Sequence, residues 1–234
     1  MNWQEIILSE CGTFFNYQGN RVFDKTFINA LKFHAPGFAP VQDKDGWHHI
    51  NTNGEELYKE RYSRAFGFYF NKAAVISDAG WFHIDDKGKR LCNENYAWIG
   101  NYQEDKCAVR DFNNNYFHID LSGKRIYQEN YFYVGDYKDG YACVKANDGW
   151  KHINSKGADL NNKRFEDLGI FHKNYATAKD LNGWFHIDKD GVGLYSKRFH
   201  SIEPFYNGFS LVEDFNKQKS IINELGENTC LIPR

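Results

Sequence analysis

The chain lacks most of what marks a secreted, membrane-spanning, nucleic-acid-binding or catalytic protein. It has four prolines in 234 residues, and no Pro/Gly/Ser linker, charge block or shift in composition divides it. Residues 1–234 therefore read as one domain. No apolar run approaches the length of a membrane span, and no basic N-terminal region leads into an apolar stretch of signal length. A cytoplasmic protein with no membrane partner is expected, although export by a signal-independent route would leave no trace in the sequence. Net charge is −2, with Lys and Arg scattered singly; nothing concentrates them into the basic stripe that phosphates require, so no nucleic-acid partner is expected. The five cysteines make an odd count without a CxxC pair, and Cys92, Cys107 and Cys143 occupy positions that are otherwise apolar or small. Free buried thiols follow, rather than a disulfide framework. HExxH, GxSxG, a Walker loop and a GxGxxG leading into a helix are all missing, so the expectation is a non-enzyme with no catalytic residues and no cofactor. Sustained 3.6-residue periodicity is missing too, which leaves very little room for helix.

What the chain does have is a period. Gly19, Gly54, Gly88, Gly123, Gly157, Gly191 and Gly226 recur every 34 or 35 residues, the mark of an array in which each unit leaves an apolar face for its neighbour. Reading back from the glycines gives GWHHINTNG, GWFHIDDKG, NYFHIDLSG, GWKHINSKG and GWFHIDKDG, with weaker copies GTFFNYQG and SIINELG at the two ends. Side chains alternate along a strand, so Trp47, His49 and Asn51 would share one face, with residue 48 and Ile50 on the other. A first aromatic follows each glycine by about eight residues (Phe27, Tyr62, Tyr96, Tyr131, Phe165, Phe199) and a second about six further on (Phe33, Phe68, Tyr102, Tyr137, Phe171, Phe205).

Asp45-Gly46, Asp148-Gly149 and Asn182-Gly183 are dipeptides of the two-residue hairpin turn. The unit is then a hairpin whose opening strand carries an apolar anchor at Ile7, Val41, Val75, Val109, Val144, Ala178 and Val212. Seven hairpins joined by six connectors predict an all-β fold: a twisted β-superhelix of stacked 34–35-residue hairpins, or alternatively a seven-bladed, propeller-like ring. Thirty-four residues are few for a four-stranded blade, which favours the superhelix.

Chemistry is sparse. The ladder His49, His83, His118, His152 and His186 invites a metal, but repeat spacing sets equivalent side chains in a row or wide ring rather than a tetrahedron. The expected role is structural, each imidazole bonding a neighbouring unit or its own Asp or Asn. Asp85, Asp120 and Asp188 are expected to shape the turn that the glycine completes. Two DxDG strings, at 43–46 and 188–191, fail as calcium loops because the flanking and closing acids are Val41, His186 and Lys197; no metal site is predicted. The connectors after Gly157 and Gly191 depart most from the repeat, and Phe171, His172, Lys173, Glu203, Phe205 and Tyr206 are the candidate binding residues.

The string GWFHIDKDGxxLYxxRF, with a connector ending in FYNG, resembles the bacterial WG-repeat family, in the variant where a Phe-His pair follows the tryptophan. The likeness covers residues 12 to 226; Trp47, Trp81, Trp150 and Trp184 match the family tryptophan, with Tyr116 in its place once and Thr13 and Ser220 in divergent end units. The resemblance implies an all-β repeat with no catalytic residues of its own, serving as an interaction module. A protein partner is the leading expectation. Glycan or small-ligand binding through the repeated GW aromatics is the alternative, weakened because the second GxWYY element of cell-wall-binding modules is missing.

Overall fold

The computed structural model of the chain describes residues 1–233. Apart from one 3-10 turn, Trp3–Glu5, its regular elements are all short strands. They form seven antiparallel sheets, one per glycine, which we number as repeats 1 to 7.

Repeat 2 shows how the sequence builds a sheet. Ala39–Asp43 and Gly46–Ile50 pair as a hairpin, with Val41 opposite His48 and Pro40 opposite His49. The turn residues are Lys44-Asp45, and the Asp43 carboxylate accepts from the amides of Asp45 and Gly46. The glycine thus stands one place later than the dipeptide pattern suggests. It opens the third strand at φ 134°, and a Cβ there would lie 2.8 Å from the carbonyl oxygen of Tyr62. A closed approach of two backbones, together with the turn, is what demands glycine before the tryptophan.

Past Ile50, Asn51 Oδ1 accepts from the amides of Asn53 and Glu55. The same Asx turn recurs at Asp85, Asp120, Asn154, Asp188 and Asn223, the role expected of these residues. The returning chain bridges back to the third strand at Ile50–Glu56 and Trp47–Tyr62. The periodic glycine has a second task. A Cβ at Gly88 would sit 2.6 Å from the ring of Tyr58, and one at Gly157 2.3 Å from that of Tyr127. The turns at Gly88, Gly157 and Gly226 lie on a tyrosine of the preceding repeat and that at Gly54 on Phe23, so the period records an interface as well as a bend.

The hairpin proves to be two strands of three. The connector contributes a further strand ahead of it, two residues long in Asn29–Ala30, Trp98–Ile99, Tyr133–Val134, Asp167–Leu168 and Ser201–Ile202 and six long in Arg64–Tyr69. Repeat 1 opens directly on its hairpin, Ile6–Leu8 and Phe15–Tyr17, while repeat 7 adds a full fourth strand, Asn228–Leu231. The predicted anchors Val41, Val75, Val109, Val144, Ala178 and Val212 are all buried. Ile7 is the exception. It is exposed and Ile6 is buried instead, because strand side chains alternate and the first strand is offset by one residue.

Backbone contacts gather the chain into two compact bodies, residues 1–114 with 119–125, and 115–118 with 126 onward. The division falls within repeat 4 rather than at a linker.

Candidate functional site

The histidines come first because they determine what is left for function. His49, His118 and His186 each bond through Nδ1 to the phenol of the tyrosine nine residues on, and through Nε2 to the carbonyl oxygen seventeen residues on, at Phe66, Gly135 and Glu203. His83 and His152 bond the equivalent carbonyls of Gly100 and Gly169. A carbonyl only accepts, so Nε2 carries the proton and Nδ1 takes the phenol's. Burial holds His49, His83, His152 and His186 down to about 4, and they are neutral at pH 7. The ladder ties each repeat to the strand of the next, as the structural reading expected. Two rungs differ: nine residues after His83 and His152 stand Cys92 and Asn161 in place of the tyrosine, and His83 Nδ1 is buried without a hydrogen bond.

The same ladder removes two of the predicted binding residues. Phe171 and Phe205 are 1% and 5% exposed, their rings packed on His152 and His186 at centroid distances of 4.3 and 3.8 Å. They are core, because every second aromatic from repeat 3 onward covers the histidine of the preceding repeat. Glu203 gives its backbone carbonyl to His186 and to the Ser210 hydroxyl. Lys173 is an exposed turn residue at φ 60°. His172 and Tyr206 do meet, at 5.2 Å between rings, with Lys138 Nζ 3.2 Å from His172 Nδ1. What survives of that surface is a small patch of mixed character, in which Tyr206 and its bridge partner Phe209 stay exposed beside His172 and Lys173.

Among the exposed apolar side chains, five recur at two repeat positions that the sequence reading passed over. Phe112, Leu181 and Phe215 begin the hairpin turns, where Lys44 stands in repeat 2; Ile28 and Phe132 directly follow the first aromatic. All five are more than half exposed, Leu181 at 90%. The turns also frame clefts between successive repeats. One of about 420 Å³ is lined by Ile28, Asp43, Arg61, Tyr62, Ser77 and Asp78. Another of about 510 Å³ occupies the same place three repeats later, lined by Phe132, Trp150, Arg164, Phe165, Asp180 and Leu181. A third, of about 300 Å³, includes Asn115, Tyr131 and Phe132. A signal for this edge was present in the sequence, as large apolar residues in turn positions where Asp, Asn or Lys is the norm.

Charged groups sit beneath the turns. In repeat 2, Arg61 bridges Asp43 and Glu56, at 2.9 and 3.0 Å. His48, 2% exposed, directs Nδ1 toward this group, 3.6 Å from Asp43 Oδ2, and makes no hydrogen bond through that atom. Asp43, His48 and Glu56 place one potential metal-ligating atom each within 4.8 Å of one another, the one such trio among the described residues. In repeat 5, Arg164 bridges Asp148 and Asp159 in the same manner, and Lys151, in the place of His48, reaches Asp159 at 2.7 Å. Repeats 3 and 6 carry phenylalanine there, each under an arginine, Arg90 over Phe82 at 3.9 Å and Arg198 over Phe185 at 3.6 Å.

No helix among the described residues is long and apolar enough to cross a membrane. No protein-family model and no curated protein matches the chain. Solved structures do. The chain is similar over 97% of its length to 72% of a eukaryotic initiation factor, with a TM-score of 0.63 and 11% identity. It is similar over its whole length to 85% of BamB from Moraxella catarrhalis, with a TM-score of 0.50 and 12% identity. These are β-propeller proteins, so the all-β repeat fold is of the propeller type and agrees with the ring alternative.

Proposed function

We propose that the protein is a non-catalytic protein-interaction scaffold of the WG-repeat type, and that it meets its partner along the hairpin-turn edge rather than through the connectors. One observation carries this reading: the exposed Phe112, Phe132, Leu181 and Phe215 stand at only two repeat positions, both on the turn edge. Apolar residues scattered at random need no explanation, but several at equivalent positions make a surface. In the second compact body three of them are linked. Phe132 and Leu181 line one cleft, and the ring of Phe215 covers Gly183, two residues from Leu181.

The test compares wild type with a Phe132→Ser/Leu181→Asp double variant and a His172→Ala/Tyr206→Ala control, by quantitative cross-linking in the source cells. Partners retained by the control and lost by the turn-edge variant support the reading; the opposite pattern overturns it. A second reading has its own observation, since Trp150 lines the cleft beside Lys145 and Asp148, a combination suited to stacking on a sugar. Tryptophan fluorescence that shifts on titration with glycans, and does not in Trp150→Phe, would favour it.

A further inference from the structure

Repeats 2 and 5 solve one electrostatic problem in two ways. In repeat 5 two carboxylates, Asp148 and Asp159, meet two cations, Arg164 and Lys151. In repeat 2 two carboxylates, Asp43 and Glu56, meet one close cation, Arg61, because the place of the lysine is taken by His48. Lys59 approaches Glu56 only at 3.6 Å from a side chain almost wholly in solvent, where an ion pair contributes little. Two changes coincide here and in no other of repeats 2 to 6, a histidine in place of Phe or Lys and a glutamate in place of Arg90, Arg125, Asp159 or Gly193; both face Asp43, an aspartate that repeats 4 and 6 also carry, as Asp111 and Asp180. A repeat that is broken locally by a set of complementary polar residues is where a site is expected.

We propose that Asp43, His48 and Glu56 bind a divalent transition-metal cation of the zinc type, with Arg61 holding the two carboxylates in position. The donor set of one imidazole and two carboxylates suits such an ion. Ligand atoms on zinc lie about 3.4 Å apart when each is about 2.1 Å from the metal, close to the 3.6 Å between His48 Nδ1 and Asp43 Oδ2, the oxygen that also accepts from Arg61 Nε and Nη2 and would share itself between the guanidinium and the ion. The ligand atoms of the whole trio already lie within 4.8 Å of one another. Arg61 is the hydrogen-bonded support that metal-bound carboxylates usually have, and with an added hydroxide the group comes to neutrality. Asp43 and Arg61 also line the 420 Å³ cleft, which supplies an entry path. Burial, the largest cause, lowers the basicity of His48, favouring the neutral imidazole that a metal requires over an imidazolium.

The proposal is independent of the partner reading and is tested on the chelator-treated full chain. Cobalt(II) titration at pH 7 should give visible ligand-field bands at one ion per chain without a near-ultraviolet thiolate band, and zinc should raise the thermal midpoint. His48→Phe introduces the residue that repeats 3, 4 and 6 carry at this place, and Glu56→Gln keeps the shape; each should weaken binding at least tenfold while the far-ultraviolet spectrum is unchanged. If the folded wild type shows no ligand-field bands at millimolar cobalt, or both variants bind as it does, the site does not exist. Wild type that resists metal but shows His48 taking up a proton near neutrality would assign the missing charge to the imidazolium and equally overturn the proposal.

Discussion

The cleft beside Gly46 and the cleft beside Gly149 occupy the same place in repeats 2 and 5, yet they share little beyond the backbone. Both keep the glycine that admits a carbonyl, at Tyr62 and at Phe165, the tryptophan bridged to that same residue, and an arginine across two carboxylates. The first then presents Ser77 and Asp78, the second Asp180 and Leu181; the first has His48 beneath, the second Lys151. The residues in common are those that hold a repeat to its neighbour. Those that differ reach solvent or each other, and a repeat acquires function through such differences.

The most severe way to break the comparison is to attack what the two regions share. His49 in repeat 2 and His152 in repeat 5 are both held down to about 4 by burial, as are His83 and His186. An unfolded histidine titrates near 6.5. Between these values the unfolded chain binds more protons than the folded one, so stability is fully present above about pH 6.5 and is lost as pH falls through about 4. Each histidine is worth at most about 3 kcal/mol by this linkage. The denaturant midpoint should drop steeply over that window, and a midpoint independent of pH between 6.5 and 4 would mean that the ladder does not hold the repeats together.

A narrower test separates the two regions. Lys151→Met removes one cation from the balanced group of repeat 5 and leaves Asp159 with Arg164 alone, at a cost of about 1 to 2 kcal/mol. His48→Lys gives repeat 2 the cation that repeat 5 has, and should stabilise by up to about 1 kcal/mol while abolishing any response to zinc. Thermal midpoints of the two variants decide it. Equal and opposite shifts sharpen the comparison, and two neutral substitutions would show that the groups are not electrostatic counterparts.

The fold was readable from the sequence to the extent that it is local. Glycine, Asx turn, strand alternation and hairpin count all follow from steric and hydrogen-bonding rules that act within about ten residues. The bounds of the short strands that precede the later hairpins were not, because at Asn29–Ala30 or Asp167–Leu168 no side-chain pattern is long enough to show a period. The burial of two candidate binding residues was missed for a different reason. Phe171 and Phe205 looked like exposed connector aromatics, but their partners, His152 and His186, lie in the preceding repeat, and the sequence pattern says nothing of which ring covers which. Cys92 carries a similar lesson. It breaks the tyrosine series Tyr58, Tyr127 and Tyr195, as Asn161 also does, and leaves His83 Nδ1 without a bond. Gly123 faces Cys92 as Gly88 faces Tyr58, so the flat bed for a phenol is already there. Cys92→Tyr should therefore gain about 1 kcal/mol, measured as a raised denaturant midpoint; a loss would show that this repeat has closed over the space.

The smallest effect on stability belongs to the residue with the largest consequence for the proposed surface. Leu181 is 90% exposed at the tip of a hairpin turn, and the residue at the same place in repeat 3 is Asp78. Leu181→Asp turns the wall of the second cleft into that of the first without touching the ladder, the bridged tryptophan or the glycine. A substitution so remote from buried contacts should shift stability by no more than about 0.5 kcal/mol. Partner recovery should nevertheless fall sharply, because the edge loses its most exposed apolar side chain and gains a charge beside Asp180. The reciprocal Asp78→Leu supplies the decisive half of the comparison. If the turn edge acts through apolar area alone, the first cleft should then gain affinity for the same partner; if Phe132 and Trp150 are needed as well, Asp78→Leu will bind no better than wild type, and the surface is confined to the second compact body.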